Sequence, residues 1–205
     1  MSDFAGVHPA LSAALTGKGY ETLTPVQMAV IANELGQSDA LVSAQTGSGK
    51  TVAFGLALAE GLLGSADKFE PTDKPLALII APTRELAMQV KAELMWLYAG
   101  TGARFASCVG GMDSRAERKM LSFGAHIVVG TPGRLRDHIE KGALDLGALR
   151  AAVLDEADEM LRMGFIDDVE TILAQTPPEC QRALFSATMP PTIRRVAEKY
   201  LGDAE

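Results

Sequence analysis

Eight residues near the start of the chain restrict what the rest can fold into: Ala44-Gln45-Thr46-Gly47-Ser48-Gly49-Lys50-Thr51. Asp39–Ser43 before them is short and apolar, with the length of a buried strand, and Val52–Leu63 after them is long enough for a helix. A strand, a glycine-bearing turn ending in Gly-Lys-Thr and a helix together form a phosphate cradle. Glycines let successive backbone N–H groups curl around phosphate oxygens, and the helix N-terminus adds partial positive charge. Thr46, Gly47, Ser48 and Gly49 would supply the cradle. Lys50 would reach the terminal phosphates, and the Thr51 hydroxyl would hold Mg²⁺. The pattern predicts a nucleotide as ligand, with Mg²⁺. Ala44 departs from the glycine usual five residues before Gly49.

Downstream, strand-like and helix-like segments alternate. Strands are expected at 39–43, Leu76–Ile80, Phe105–Val109, His126–Val129, Ala151–Leu154 and Ala183–Ser186. Helices are expected at 8–17, 25–35, 50–63, 84–98, 113–122, 133–140, 164–174 and 191–200, the second opened by Thr24-Pro25. Continuous apolar strands separated by helices imply an α/β fold, a parallel sheet covered by helices on both faces. Residues 1–35 read as leading helices belonging to the same domain as 36–205. Gly64–Lys74 reads as a surface loop, and no repeat or low-complexity tract occurs.

In such a sheet, chemistry collects beyond the C-terminal ends of the strands. Each expected strand is followed there by a pointed sequence: Pro82-Thr83-Arg84-Glu85-Leu86-Ala87, Gly110-Gly111, Thr131-Pro132-Gly133-Arg134, Asp155-Glu156-Ala157-Asp158 and Ser186-Ala187-Thr188. Singly, several have plain explanations, since Thr83 and Thr131 suit helix N-caps and Pro132 a first turn. Their joint placement on one edge does not. Asp155, ending an apolar strand downstream of a phosphate loop, suits the Mg²⁺ that bridges phosphates. Glu156, expected to point elsewhere, suits a general base acting on water.

Bulk properties narrow the setting. The chain has 205 residues with 47% apolar and 22% charged content, enough for one domain with a substantial core. Cys108 and Cys180 lack metal-ligand spacing and read as core thiols. No signal sequence or membrane-length apolar run is present, which favours the cytoplasm and argues against a membrane partner. A net charge of −7 argues mildly against nucleic acid, unless contacts use backbone N–H groups and a few arginines on one face.

From about Phe4 onward, these motifs in this order resemble the DEAD-box RNA helicases, whose name Asp155-Glu156-Ala157-Asp158 spells in one-letter code. Asp158–Phe165 and the short N-terminus resemble bacterial members. The resemblance implies a RecA-like domain in which Gly19–Gln27 reads adenine, with the Gln27 amide on the base edge, Tyr20 packing against the base and Thr24 in the same segment. Leu23 stands where the family commonly has proline, whereas Ala44 matches the family's own phosphate loop. By the same resemblance Pro82, Thr83, Arg84, Gly110, Gly111, Thr131, Pro132, Gly133 and Arg134 line the RNA path and hold its sugar–phosphate backbone. Such contacts read shape and 2′-hydroxyls rather than base sequence. Ser186 and Thr188 would bond near Asp158 and couple ATP state to strand separation. The family often has glutamine a few residues after the double glycine, where this chain has Glu117.

Family helicases also carry a second domain with arginines that reach the γ-phosphate, and none of its motifs occurs here. The expectation is the first half of a longer protein, monomeric as it stands, that binds adenine nucleotide, hydrolyses it poorly and unwinds nothing alone. Other readings stay open: a phosphate-loop kinase or GTP switch, though no Asn-Lys-x-Asp guanine reader occurs; a nucleotide-gated RNA-binding scaffold; and a DNA-acting relative.

Overall fold

The computed structural model describes residues 4–32 and 39–202. Six strands form one parallel sheet: β1 (Ala40–Ser43), β2 (Ala77–Ile80), β3 (Phe105–Cys108), β4 (Ile127–Gly130), β5 (Ala151–Leu154) and β6 (Gln181–Ser186). Their lateral order is β1-β6-β5-β2-β4-β3. The helices are α1 (Pro9–Gly17), α2 (Pro25–Ala32), α3 (Lys50–Leu63), α4 (Arg84–Leu97), α5 (Ser114–Ser122), α6 (Pro132–Glu140), α7 (Ala157–Arg162), α8 (Ile166–Ala174) and α9 (Pro191–Tyr200). The last part of the helix expected over 25–35 lies outside the described residues.

Period-two alternation distributes the strand side chains between two cores. Ala77 and Ile79 of β2, with Val129 and Val153, face a layer built from α3 and α4, including Phe54, Leu58, Leu94 and Leu97. Leu78 and Ile80, with Val128, Ala152 and Leu154, face the opposite layer of Leu135, Met160, Val169, Ile172 and Ile193. Both faces of the central strands are therefore dry, which is why these segments read as unbroken apolar runs. Cys108 and Cys180 are buried free thiols, and burial pushes each up to about 12.

One local feature differs from the expected elements. A separate six-residue helix, α7, begins inside the acidic motif at Ala157. The loop at 64–74 lies on the surface as expected and is anchored there: Phe69 packs 4.7 Å from the His126 ring, and the Phe69 N–H donates to the Thr101 carbonyl at 2.9 Å.

Because all six strands are parallel, their C-terminal ends share one edge, and the lateral order sorts the motifs along it. The phosphate loop, Asp155-Glu156 and Ser186–Thr188 leave β1, β5 and β6, which are neighbours. Pro82–Ala87, Gly110-Gly111 and Thr131–Arg134 leave β2, β3 and β4, also neighbours. The two halves meet where the Asp155 N–H donates to the Ile80 carbonyl at 2.9 Å.

Candidate functional site

Gly47 and Gly49 adopt left-handed backbone, with φ of 82° and 81°. Gly49 is also tightly enclosed: a Cβ there would lie 2.7 Å from the Gln27 amide nitrogen. The start of α2 and Thr24 before it are fastened to the loop. The Gln27 Nε2 group donates to the Gly49 carbonyl at 3.2 Å, its Oε1 accepts the Thr24 N–H at 2.9 Å, and the Thr24 hydroxyl donates to the Ser48 carbonyl at 3.2 Å. Gln27 is wholly buried. The structure thus brings Thr24 and Gln27 onto the phosphate loop, with the amide bonded to protein at both ends.

Lys50 and Thr51 open α3, and both are buried. The Lys50 ammonium lies 2.9 Å from Asp155 Oδ1 and 3.3 Å from Glu156 Oε1, and the Thr46 hydroxyl also donates to Glu156 Oε1 at 3.3 Å. Glu156 was expected to point away from its neighbour. Instead it takes a left-handed backbone, φ 53° and ψ 54°, which turns both carboxylates onto Lys50. A glutamate rarely adopts this conformation, at a cost of about 1–3 kcal/mol, and such strain gathers at functional sites. Asp155 is fully buried; desolvation pushes its carboxyl above the usual range, against the pull of Lys50. The Asp155–Lys50 contact is ionic. Beyond the Lys50 ammonium on Oδ1, the Asp155 carboxylate has no side-chain partner among the described residues, and the buried Ser48 hydroxyl has none. A buried carboxylate met by one lysine, with an unpaired serine hydroxyl in a left-handed glycine loop, fits a phosphate with a divalent cation. Among the described residues no cluster of three or more His, Cys, Asp or Glu would hold a metal unaided, so Thr51 and Asp155 would share it with phosphate oxygens and water.

Against the loop lies a cleft of about 710 Å³, lined by Tyr20, Gly47, Gly49 and Val52 and by Lys18, Glu93 and Trp96. Tyr20 and Trp96 rings are 6.0 Å apart, and the Lys18 ammonium sits 5.2 Å from the Trp96 ring centre. Burial, then the charge of Asp155, holds the Glu93 carboxyl above its usual range, with Lys18 opposing. Sequence reasoning missed Lys18, Glu93 and Trp96. The available signal was the i, i+3 spacing of Glu93 and Trp96 on α4.

Asp158 joins the β5 and β6 ends. Its N–H donates to the Ser186 hydroxyl at 3.1 Å, and its Oδ2 accepts the Thr188 N–H at 3.1 Å and the Thr188 hydroxyl at 2.9 Å. Burial alone would raise the Asp158 carboxyl, but the bonds from Thr188 and Ser186 outweigh it and hold the group below its ordinary range.

On the other half of the edge, Thr83 caps α4 by accepting the Leu86 N–H at 3.2 Å, while Arg84 is exposed. The Arg84 guanidinium crosses Gly111 so closely that a Cβ there would lie 2.8 Å from Nη1. Gly111 has φ 84°, and Gly110, Gly111 and Gly133 are exposed. Thr131 precedes α6 without making a side-chain cap bond, Pro132 is buried in the first turn, and Arg134 is tied down by Glu117 at 2.8 Å.

A family model described as DEAD/DEAH box helicase matches residues 24–196. The chain belongs to this family. It is 49% identical over 195 residues to an ATP-dependent RNA helicase DeaD of Haemophilus influenzae, covering 94% of this chain and 30% of that protein. It is 47% identical to the DeaD helicase of Escherichia coli, over 98% of this chain and 31% of that protein. A DEAD-box ATP-dependent RNA helicase CshA of Bacillus licheniformis is 44% identical over 95% of this chain and 39% of its own length. This DEAD-box chain therefore spans about a third of the length of these bacterial relatives. A crystal structure of a DEAD box protein from the hyperthermophile Methanococcus jannaschii superposes with a TM-score of 0.86 at 39% identity, covering 97% of this chain and 53% of the other. That likeness assigns the sheet and its helical layers to the RecA-like fold of DEAD-box domains. Among the described residues no helix is long and apolar enough to cross a membrane.

Proposed function

We propose that this chain is the nucleotide-binding domain of an ATP-dependent RNA helicase. It would take an adenine nucleotide in the cleft beside the phosphate loop and RNA backbone along the β2-β4-β3 half of the edge. The observation that carries this reading is the convergence of Lys50, Asp155, Glu156 and Thr46 against a left-handed glycine loop, beside a cleft large enough for a nucleoside.

With nucleotide present, Lys50 exchanges carboxylates for phosphate oxygens, and the Gly47–Gly49 N–H groups and the α3 N-terminus hold the polyphosphate. Mg²⁺, held through Thr51 and Asp155, would neutralise phosphate charge. Glu156, released from Lys50, orients and deprotonates the attacking water. Tyr20 packs against the base. Gln27 retains a second amide hydrogen and a spare lone pair for the adenine edge.

Asp158, Ser186 and Thr188 tie the β5 end to the β6 end, and in the whole helicase they would link ATP state to strand separation. Arg84, with the exposed Gly110-Gly111 and Thr131–Arg134 turns, meets sugar and phosphate, which suits an acidic domain because it needs only local positive charge. Strand separation and fast turnover belong to the whole helicase, whose second domain supplies γ-phosphate arginines worth several orders of magnitude in rate. These 205 residues alone would hydrolyse ATP slowly and leave duplexes intact.

The test is an ADP titration in competition with ATP and GTP, repeated with Lys50→Ala and Gln27→Ala. Adenine nucleotides should win, Lys50→Ala should weaken phosphate-dependent binding, and Gln27→Ala should erode the preference over GTP. Equal competition by GTP, unchanged by Gln27→Ala, would remove the adenine assignment. Loss of Lys50 leaves Asp155 buried without a counter-charge, so stability is measured alongside.

A further inference from the structure

Three acidic residues among the described ones are buried: Asp155, Asp158 and Glu117. The first two belong to the nucleotide half of the edge. Glu117, in the first turn of α5, stands on the other half and is 1% exposed. Three nitrogens, one just after β3 and two on α6, converge on it. Its Oε2 accepts the N–H of Val109, the residue before Gly110-Gly111, at 2.7 Å. Its Oε1 accepts the Arg134 Nη1 group at 2.8 Å and bonds the Nε2 of the fully buried His138 at 2.9 Å. Arg134 Nη1 also donates to the Met112 carbonyl at 3.2 Å.

We infer that Glu117 is a positioning residue for RNA, holding Arg134 and the Gly110-Gly111 turn in the arrangement that receives the sugar–phosphate backbone. This rests on the RNA-contact reading above. The Arg134 guanidinium is tethered through one terminal nitrogen, its Nε and Nη2 make no hydrogen bond among the described residues, and the side chain stays 19% exposed. A guanidinium held at one end and open at the other presents its remaining donors as a fixed fork. Tethering has already removed rotamer freedom that a free arginine loses on binding phosphate. The double-glycine turn needs the same anchor, because paired glycines hold no conformation of their own. A carboxylate suits the place because both oxygens accept. A glutamine would satisfy Val109 or the Arg134–His138 pair, but not both.

The test uses the 205-residue chain, fluorescein-labelled oligouridylate anisotropy over a salt series beginning at low salt, and ADP binding followed by Trp96 emission. Arg134→Ala and Glu117→Ala should each weaken RNA roughly tenfold and each lower the salt slope by about one, with ADP affinity unchanged. The double variant Glu117→Ala/Arg134→Ala should be no weaker than Arg134→Ala, since both remove the same contact. Glu117→Gln should fall between Glu117→Ala and the unaltered chain. If Arg134→Ala weakens RNA while Glu117→Ala does not, if the two losses add in full, or if ADP affinity falls in parallel, the positioning role is wrong. Should Glu117→Ala fail to fold, Glu117→Gln decides: weaker RNA with intact ADP binding supports the role, and unchanged RNA affinity refutes it. If neither Arg84→Ala nor Arg134→Ala affects RNA, the RNA-contact reading itself falls and takes this inference with it.

Discussion

Asp158 shows how one side chain ties chemistry to stability. Its carboxylate collects the Thr188 N–H and hydroxyl, and its own N–H reaches Ser186. Asp158→Ala would strand those Thr188 donors and should cost about 1–3 kcal/mol at neutral pH, read from urea unfolding. The pH dependence has a definite sign. A carboxyl held below its ordinary range contributes stability that is complete above the unfolded-state value and lost as pH falls through the lowered one. The gap between parent and Asp158→Ala should therefore narrow on acidification; a gap that persists unchanged at low pH would show that the carboxylate charge is not what holds the turn. Asp155 acts in the opposite sense, its carboxyl being raised, so its contribution is fullest in acid and declines as pH rises through that raised value. The proximity of Asp158, Ser186 and Thr188 could be expected from motif resemblance. The direction of Glu156 could not, because it depends on a left-handed backbone that no side-chain type announces. Nor could the burial of Glu117, whose partners lie 8, 17 and 21 residues away in sequence and meet only once β3, α5 and α6 pack.

The element that depends most on a single contact is the turn into α3. Gly49 is held left-handed beneath the Gln27 amide, so Gly49→Ala meets two separate penalties. Backbone strain at φ 81° costs about 1–2 kcal/mol, and a collision 2.7 Å from Gln27 Nε2 adds to it. Thermal melts should show Gly49→Ala clearly destabilised. Adding Gln27→Ala should restore part of the loss, because the collision disappears while the strain remains. If the second change gives only further loss, the amide is not the obstacle. The sheet itself was readable from sequence because strands buried on both faces must be apolar throughout. Helix α7 was not, since six residues beginning Ala-Asp-Glu carry too little periodicity to separate a helix from an acidic turn.

Across the whole molecule, strand order divides the edge into a proposed nucleotide half on β1-β6-β5 and a proposed RNA half on β2-β4-β3. The halves are joined through the backbone ladder at Asp155 and Ile80 and rest on continuous cores on both faces. Coupling between two ligands requires two global states that both ligands bias, and one close-packed sheet supplies a single state. The two sites in these 205 residues should therefore bind independently. Lys50→Ala should weaken ADP binding and leave oligouridylate affinity unchanged, while Arg84→Ala should do the reverse. Saturating ADP should shift RNA affinity of the unaltered chain by less than about twofold, well below the roughly 5-fold lower bound typical of allosteric coupling. Anisotropy titrations of labelled RNA with and without ADP measure this directly. A larger shift would place a switch inside this domain, with Asp158 between β5 and β6 as the first element to examine; independence would place any coupling of ATP to RNA outside these 205 residues, in the second domain of the proposed helicase.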